Sequence, residues 1–492
     1  MQNTPDYVPP EKKGKKILAV IIVVVIIAAG AGVGVYLYLH PPQKVSTLVV
    51  LVDSGSDTDK YLTTVAANFE KANPNVKITF DSVSYSDMVS TSLSALKNKA
   101  SSPGLIMYYT SGEPTLAPYL MNLCSEGFNT SNYLPGELYS GSYVLDNSGH
   151  IEKTVGIPVH NVLGYVLVYQ TSIFNNKSLQ SGFQNEYHFS IMPDTYKNWT
   201  AVYDAANYIN SDMSSLKSLS SGNALKYSLM FPDSAHHSMI DAYMGLLYAY
   251  GNNHTATTGI PTNSGTGYWS YMGDINGKYQ PTFNNTYGVQ ALKMYKNLTS
   301  FGPSVSTTPI GYSEQESLFC SGEFAMGLAW TSFFSAYSNS SISKVAGNYN
   351  VSVLPEGSTG YSPTYMGVNP YTNTSLAIKF LKYATSNAEY TVGIDKYQYL
   401  PATESGLEIA EKNKNFTWVP EMLKTASSIK INDTSVAIYN KLQPLFTTLT
   451  PDLNDEIYDY FTESPKTISA SAALSTAATE WSNYIKDQGI TL

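Results

Sequence analysis

Arginine is absent: all 29 Lys/Arg residues are lysine. Arginine provides the planar fork that clamps carboxylates and phosphates, so its absence weighs against an anionic ligand. A net charge of −9 weighs against a nucleic-acid partner. A genomic bias toward lysine codons would also give this composition, with the same chemical consequence. Charge of either sign is scarce, 14% of residues against about 25% in ordinary globular domains. Cysteine is down to Cys124 and Cys320, with no C-x-x-C pair, which argues against a thiolate metal site. The two either form one disulfide of an exported protein or remain buried thiols. H-E-x-x-H, G-x-S-x-G and P-loop signatures are missing too, so nothing marks a zinc protease, a serine hydrolase or an NTPase. The expectation is a protein that is not an enzyme and needs neither cofactor nor metal.

Hydroxyls and amides take the place of charge. Tyrosine alone contributes 40 of the 492 residues, and Ser, Thr and Asn are abundant throughout. Such a surface suits an acidic exterior, where carboxylates are protonated. Residues 17–39 carry no charge and are long enough to span a bilayer. Four lysines between Lys12 and Lys16 precede them, so the positive-inside rule leaves a cytoplasmic tail at 1–16 and an exterior ectodomain after a linker at 40–46. The expected location is a cell membrane crossed once. Eleven Asn-x-Ser/Thr sequons follow the hydrophobic stretch, at Asn129, Asn176, Asn198, Asn253, Asn284, Asn297, Asn339, Asn350, Asn373, Asn415 and Asn432. They fit a glycosylated surface, although a chain rich in these residues also produces sequons by chance.

The ectodomain opens with a rhythm. Thr47–Val52 is a continuous apolar run, as in a buried strand. A turn at Ser54–Asp57 leads to a helix with Leu62, Val65 and Phe69 on one face, stopped at Asn73-Pro74. Val76, Ile78 and Phe80 alternate with polar residues in a half-buried strand. Ser86 can cap a helix carrying Val89, Leu93 and Leu96, and Leu105–Tyr108 is a third strand. This β-α-β-α-β order implies a parallel α/β sheet with right-handed crossovers, whose ligands sit beyond the carboxyl ends of the strands. The loops there are Asp53–Asp57, Val83–Tyr85 and Tyr109–Glu113, rich in hydroxyls and carboxylates and free of lysine. Ser54, Asp57, Thr110, Ser111 and Glu113 are the candidate ligand contacts on these loops. Glu113 also fits an ordinary helix N-terminus.

Further landmarks follow: GIPVHNVLGYVLVYQTSIF (156–174), PDTYKNWTAVYDAA (193–206), SLFCSGEFAMGLAW (317–330), YNVSVLPEG (349–357) and YLPATESG (399–406). Taken with FEKANPNVKI (69–78), their order resembles the extracellular solute-binding proteins of ABC importers. The similar group is the sugar-binding one that includes maltose-binding protein, here in a membrane-anchored form of archaeal type. The resemblance covers nearly all of 47–492. It implies a two-lobed, periplasmic-binding-protein-like α/β fold behind the N-terminal transmembrane helix. Lobe one would be 47–157 plus 366–406, and lobe two 160–362 plus 407–492. It also implies capture of a neutral carbohydrate outside the cell and delivery to ABC permease subunits. The chain departs from the family at Gly104, where an Asp is frequent, and at Tyr169-Gln170, where Tyr-Asn is frequent.

The resemblance also implies that Trp330, immediately after the strand Phe324–Ala329, lies in the ligand cleft. A large ring with few rotatable bonds packs on a sugar's C–H face at small entropic cost. It implies second-lobe contacts from Asp233 and His236 in FPDSAHHSM. His160 and Asn161 at the crossing reach either the ligand or backbone groups, and Tyr365 serves the ligand or the core. The competing readings are an exported carbohydrate-active hydrolase, a peptide-binding member of the same fold and a structural surface protein.

Overall fold

The computed structural model describes residues 45–146, 150–161, 165–235, 237–252, 271–275, 278–357, 363–416, 419–420, 433–462 and 468–489. The expected cytoplasmic tail, the transmembrane helix at 17–39 and most of the linker lie outside the described residues. Among the described residues no helix is long and apolar enough to cross a membrane.

The strands are β1 (Ser46–Asp53), β2 (Val76–Val83), β3 (Leu105–Tyr109), β4 (Tyr143–Leu145), β5 (Ile151–Thr154), β6 (Ile157–His160), β7 (Val166–Gln170), β8 (Tyr227–Met230), β9 (Met272–Ile275), β10 (Lys278–Pro281), β11 (Phe324–Ala329), β12 (Tyr349–Ser352) and β13 (Thr364–Val368). Contacts divide the chain into two units. The described part of the small one joins residues 45–47 with Glu70–Lys77; in it the Ser46 N–H donates to the Asn75 carbonyl at 2.9 Å and Lys77 pairs with Glu70 at 3.0 Å. The other unit, Leu48–Phe69 and Ile78–Leu492, holds two main sheets.

The first sheet has the order β2-β1-β3-β13-β6. β1 and β3 run parallel, with Val50 opposite Leu105, and β13 runs antiparallel to β3 and β6. The second sheet has the order β12-β7-β11-β8. There β11 is parallel to β8 and antiparallel to β7, which pairs with β12. In β1, Leu48, Val50, Leu51 and Val52 are fully buried, as a central strand covered on both faces requires.

Local sequence sets the helices. Gly55 turns the chain after β1 at φ +76°, and the Ser56 hydroxyl caps the next helix by accepting the Asp59 N–H at 3.1 Å. That helix, Asp57–Ala72, carries Asp57 and Asp59 in its first turn and buries Tyr61, Leu62, Val65 and Phe69, a stripe that faces the sheet. The expected cap at Ser86 is not formed. A 3₁₀ turn, Tyr85–Asp87, precedes the helix Met88–Lys97, and the Ser84 hydroxyl donates to Asp87 instead, at 2.6 Å. Asn198 caps the helix Trp199–Ser211, whose Trp199, Val202, Ala206 and Ile209 are buried on one side.

Both departures from the family pattern have packing reasons. A Cβ on Gly104 would lie 2.5 Å from the Thr372 hydroxyl and 2.6 Å from Leu48 Cδ1, so an aspartate has no room. Gln170 is fully buried. Its amide donates to the Gly322 and Phe324 carbonyls at 3.0 and 2.7 Å and its oxygen accepts from the Ser221 N–H at 2.8 Å. Its longer reach holds the turn before β11.

The chain ends in the helices Asp433–Thr462 and Ala470–Asp487, which pack on each other; Trp481 donates its indole N–H to the Leu449 carbonyl at 2.6 Å. Cys124 and Cys320 are both free thiols, so no disulfide joins them, and only Cys320 is buried. The exposed Cys124 lies 3.4 Å from the Thr154 hydroxyl, whereas Cys320 belongs to the core containing Phe319 and Tyr337.

Candidate functional site

The two sheets are connected at their facing edges. β6 ends at His160 and the chain re-enters the second sheet at Tyr165–Val166; β12 ends at Ser352 and the chain returns to the first sheet at Thr364. Leu400-Pro401 runs beside the first crossing: Pro401 bridges His160 and the Asn161 N–H donates to the Leu400 carbonyl at 3.1 Å. The strand directions therefore place Asp53, Tyr109, His160 and Thr364 at one edge. They place Tyr165, Asp233, Trp330 and the end of β12 at the other. Ser335 joins the two sides by donating its hydroxyl to Asp57 Oδ1 at 2.7 Å. Asp57 also holds Lys60 at 3.1 Å.

On the first edge the Tyr109 hydroxyl donates to Asp53 Oδ2 at 2.9 Å. The Tyr85 ring lies 5.3 Å from that of Tyr109, its hydroxyl 3.5 Å from the Ser111 hydroxyl. Tyr85 is 46% exposed, a large ring left open above half-buried polar groups. On the second edge Trp330 is half-buried, 4.7 Å from the Tyr165 ring and 6.3 Å from Tyr312. The Tyr312 hydroxyl donates to Asp241 at 2.5 Å, and the Gln315 amide donates to the Tyr165 hydroxyl at 3.4 Å. Burial pushes Asp241 up to about 7, against the lowering effect of the Tyr312 hydroxyl. Burial also raises Asp53, opposed by Tyr109 and reinforced by Asp59. The Tyr85 hydroxyl is held up by burial and by the fields of Asp241 and Asp53, one carboxyl from each edge. The arrangement is a slot with aromatic walls and a carboxyl–phenol pair on either side. It can stack on a ring and exchange hydrogen bonds with hydroxyls.

The structure sorts the sequence candidates. Asp57, Ser111 and Trp330 line the facing edges. Ser54 is exposed at the first edge, its N–H bound to the Val83 carbonyl at 2.8 Å, and Thr110 is half-buried beside Ser111. His160 is buried, stacked on Tyr399 at 4.0 Å and 3.3 Å from the Thr58 hydroxyl. Burial lowers its pKa to about 3, so it is a neutral structural group at the crossing. Asn161 is fully buried beside it, its amide without a hydrogen-bond partner among the described residues. Tyr365 is a correction: it is fully buried, stacked on Tyr108 at 5.3 Å, and its hydroxyl donates to the Glu137 carbonyl at 2.6 Å. Glu113 is buried beneath the first edge, its carboxyl pushed up to about 8 by that burial. Asp233 is 1% exposed; its Oδ1 accepts the Ile310 N–H at 2.7 Å. His236 lies outside the described residues. Among the described residues no group of His, Cys, Asp and Glu is arranged to hold a metal.

Tyr85, Tyr109, Tyr165, Asp241 and Tyr312 were not singled out by sequence. Tyr85 and Tyr109 lie on loops at the expected edge, but 40 tyrosines hide any four. Asp241 and Tyr312 are placed by helices whose orientation sequence does not give. Of the sequon asparagines, Asn129, Asn198, Asn284, Asn297, Asn339, Asn350 and Asn373 are exposed and Asn176 is half-buried. Asn253, Asn432 and the Asn415 side chain lie outside the described residues.

Solved structures share this architecture. Maltose-bound MalE3 of T. maritima superposes with a TM-score of 0.67 at 14% identity, over 89% of this chain and all of that one. The GacH receptor of Streptomyces glaucescens, solved unliganded and with acarbose, gives 0.64 at 16% over 90% and 99%. A solute-binding protein of Agrobacterium vitis with bound D-mannitol gives 0.63 at 15% over 90% and 99%. At these identities the likeness shows the fold, a two-lobed α/β architecture of the periplasmic-binding type. No curated protein matches the chain. The sequence pattern of the bacterial extracellular solute-binding proteins matches residues 64–417, well over half the chain, and the protein belongs to that family.

Proposed function

We propose that this protein captures a carbohydrate or polyol carrying no negative charge, outside the cell, and hands it to the permease of an ABC importer. The observation that carries the reading is the slot itself: Trp330, Tyr165 and Tyr312 face Tyr85 and Tyr109, with Asp53 and Asp241 each bound to a phenol. Rings stack on the C–H face of a sugar, and carboxyls accept its hydroxyl protons. The bound sugars and polyols of similarly folded proteins agree with it. Closure of lobe one (47–157 plus 366–406) on lobe two (160–362 plus 407–492) would bury the solute, and the ligand would shift the population toward the closed form. Residues 17–39 would tether the ectodomain, and the exposed sequon asparagines would carry glycans.

A thermal-shift series with mono-, disaccharides and polyols tests the reading. A rise of several degrees for one of them, with the solute recovered unchanged, supports it. Stabilisation by peptides and by no carbohydrate would overturn it.

A further inference from the structure

Asp53 and Asp241 reach the same slot from opposite edges and act on the same Tyr85 hydroxyl. Among the described residues neither forms an ion pair with a lysine or histidine. The other charged group acting on Asp53 is Asp59, a second carboxylate, and the hydrogen-bond partner of Asp241 is the Tyr312 hydroxyl. Lys60, at the rim, is occupied by Asp57. A third carboxyl, Asp233, follows β8 at the cleft edge; it is 1% exposed and its Oδ2 has no hydrogen-bond partner among the described residues. The Tyr295 hydroxyl donates to the carbonyl of Pro232, next to Asp233, and its pKa is raised by burial and by the fields of Asp233 and Asp241. Buried carboxyls are ordinarily paired with a cation. Sugar hydroxyls donate hydrogen bonds but bring no charge. An ammonium group brings the missing charge, and faces of Tyr and Trp attract it.

We infer that the solute is an amine-bearing carbohydrate, its ammonium group held between Asp53 and Asp241 against the rings of Tyr85 and Trp330. The inference rests on the carbohydrate reading and narrows its solute from one without negative charge to a cationic one. Burial raises the carboxyls of Asp241 and Asp233 to about 7, and a cation bound beside them would offset that effect. Asp53 and Asp241 set the preference for the amine; the aromatic walls hold the ring whatever its substituent.

Isothermal titration of the intact ectodomain decides it, using glucosamine, glucose and N-acetylglucosamine, and the β-1,4-linked dimer of each. The amines are expected to bind roughly tenfold tighter or better than their neutral counterparts, and Asp241→Asn and Asp53→Asn to remove that preference while the circular-dichroism melt stays cooperative. Equal or tighter binding of the neutral sugars overturns the inference and leaves the carbohydrate reading standing. So does binding of maltose or mannitol with none of the six. An amine preference untouched by both substitutions overturns the assignment to these carboxyls. No response to any carbohydrate overturns inference and reading together.

Discussion

Ser335 and Asp57 lie 278 residues apart and share a 2.7 Å hydrogen bond between the two edges of the slot. Asp57 begins the helix after β1 and Ser335 sits in the short helix after β11 and Trp330, so this bond exists only while the lobes are together. A hydrogen bond to a charged group contributes about 1.5–3 kcal/mol. Ser335→Ala is therefore expected to weaken solute binding by roughly tenfold or more, by favouring the open form, with little change in the melting temperature of the free protein. Calorimetry reads the affinity, and small-angle scattering the population of closed molecules. Unchanged affinity with unchanged scattering would mean that the bond plays no part in closure.

Trp330 packs against Tyr165 on one side and is half-buried. Truncation to alanine removes a rigid stacking surface, and losses of about 2 kcal/mol or more are usual for such anchors. Trp330→Ala is expected to lose roughly thirtyfold in affinity while Trp330→Phe retains much of it. Equal affinities for wild type and both variants would place the solute elsewhere.

Glu113 supplies a pH signature. Burial raises its folded-state pKa to about 8, above the ordinary carboxyl value. The folded state then holds this proton more tightly than the unfolded state does, so the associated stability is complete in acid and declines as pH rises toward 8. Glu113→Gln cannot ionise. Its melting temperature relative to wild type is expected to rise from about pH 5 to about pH 9, measured by differential scanning calorimetry. A constant difference across that range would show Glu113 to be solvated.

Gly104 stands where relatives frequently carry an aspartate. The Thr372 and Leu48 side chains occupy the space of a Cβ. Gly104→Ala is expected to cost about 1–3 kcal/mol and to lower the melting temperature by several degrees. Pairing it with Thr372→Ser, which removes the methyl but keeps the hydroxyl, restores little. Thr372→Gly in the same background restores more.

Much of the fold was legible in sequence because its signals are local. The apolar run of β1 and the stripe Leu62-Val65-Phe69 are each set by neighbours in the chain. The carboxyl-edge rule directed attention to Asp57 and Ser111, and the family resemblance to Trp330; the structure puts all three at the facing edges of the sheets. Missed features depend on contacts distant in sequence. Tyr365 looks like any edge tyrosine until the Glu137 carbonyl, 228 residues away, claims its hydroxyl. Asp241 enters the slot only because Tyr312, 71 residues on, turns toward it. His160 resembles a ligand contact, but its stack on Tyr399 shows it to be part of the crossing.

The central claim is that the solute is held between two sheet edges, by Trp330 and Tyr312 from one and Tyr85 and Tyr109 from the other. A crystal structure of the protein with its tightest-binding carbohydrate tests this most directly. The account predicts a sugar ring within van der Waals distance of Trp330 and hydrogen-bonded to Asp53 or Asp241, with both lobes in contact with it. A sugar bound to one lobe alone, or on the outer surface with the slot empty, would contradict it.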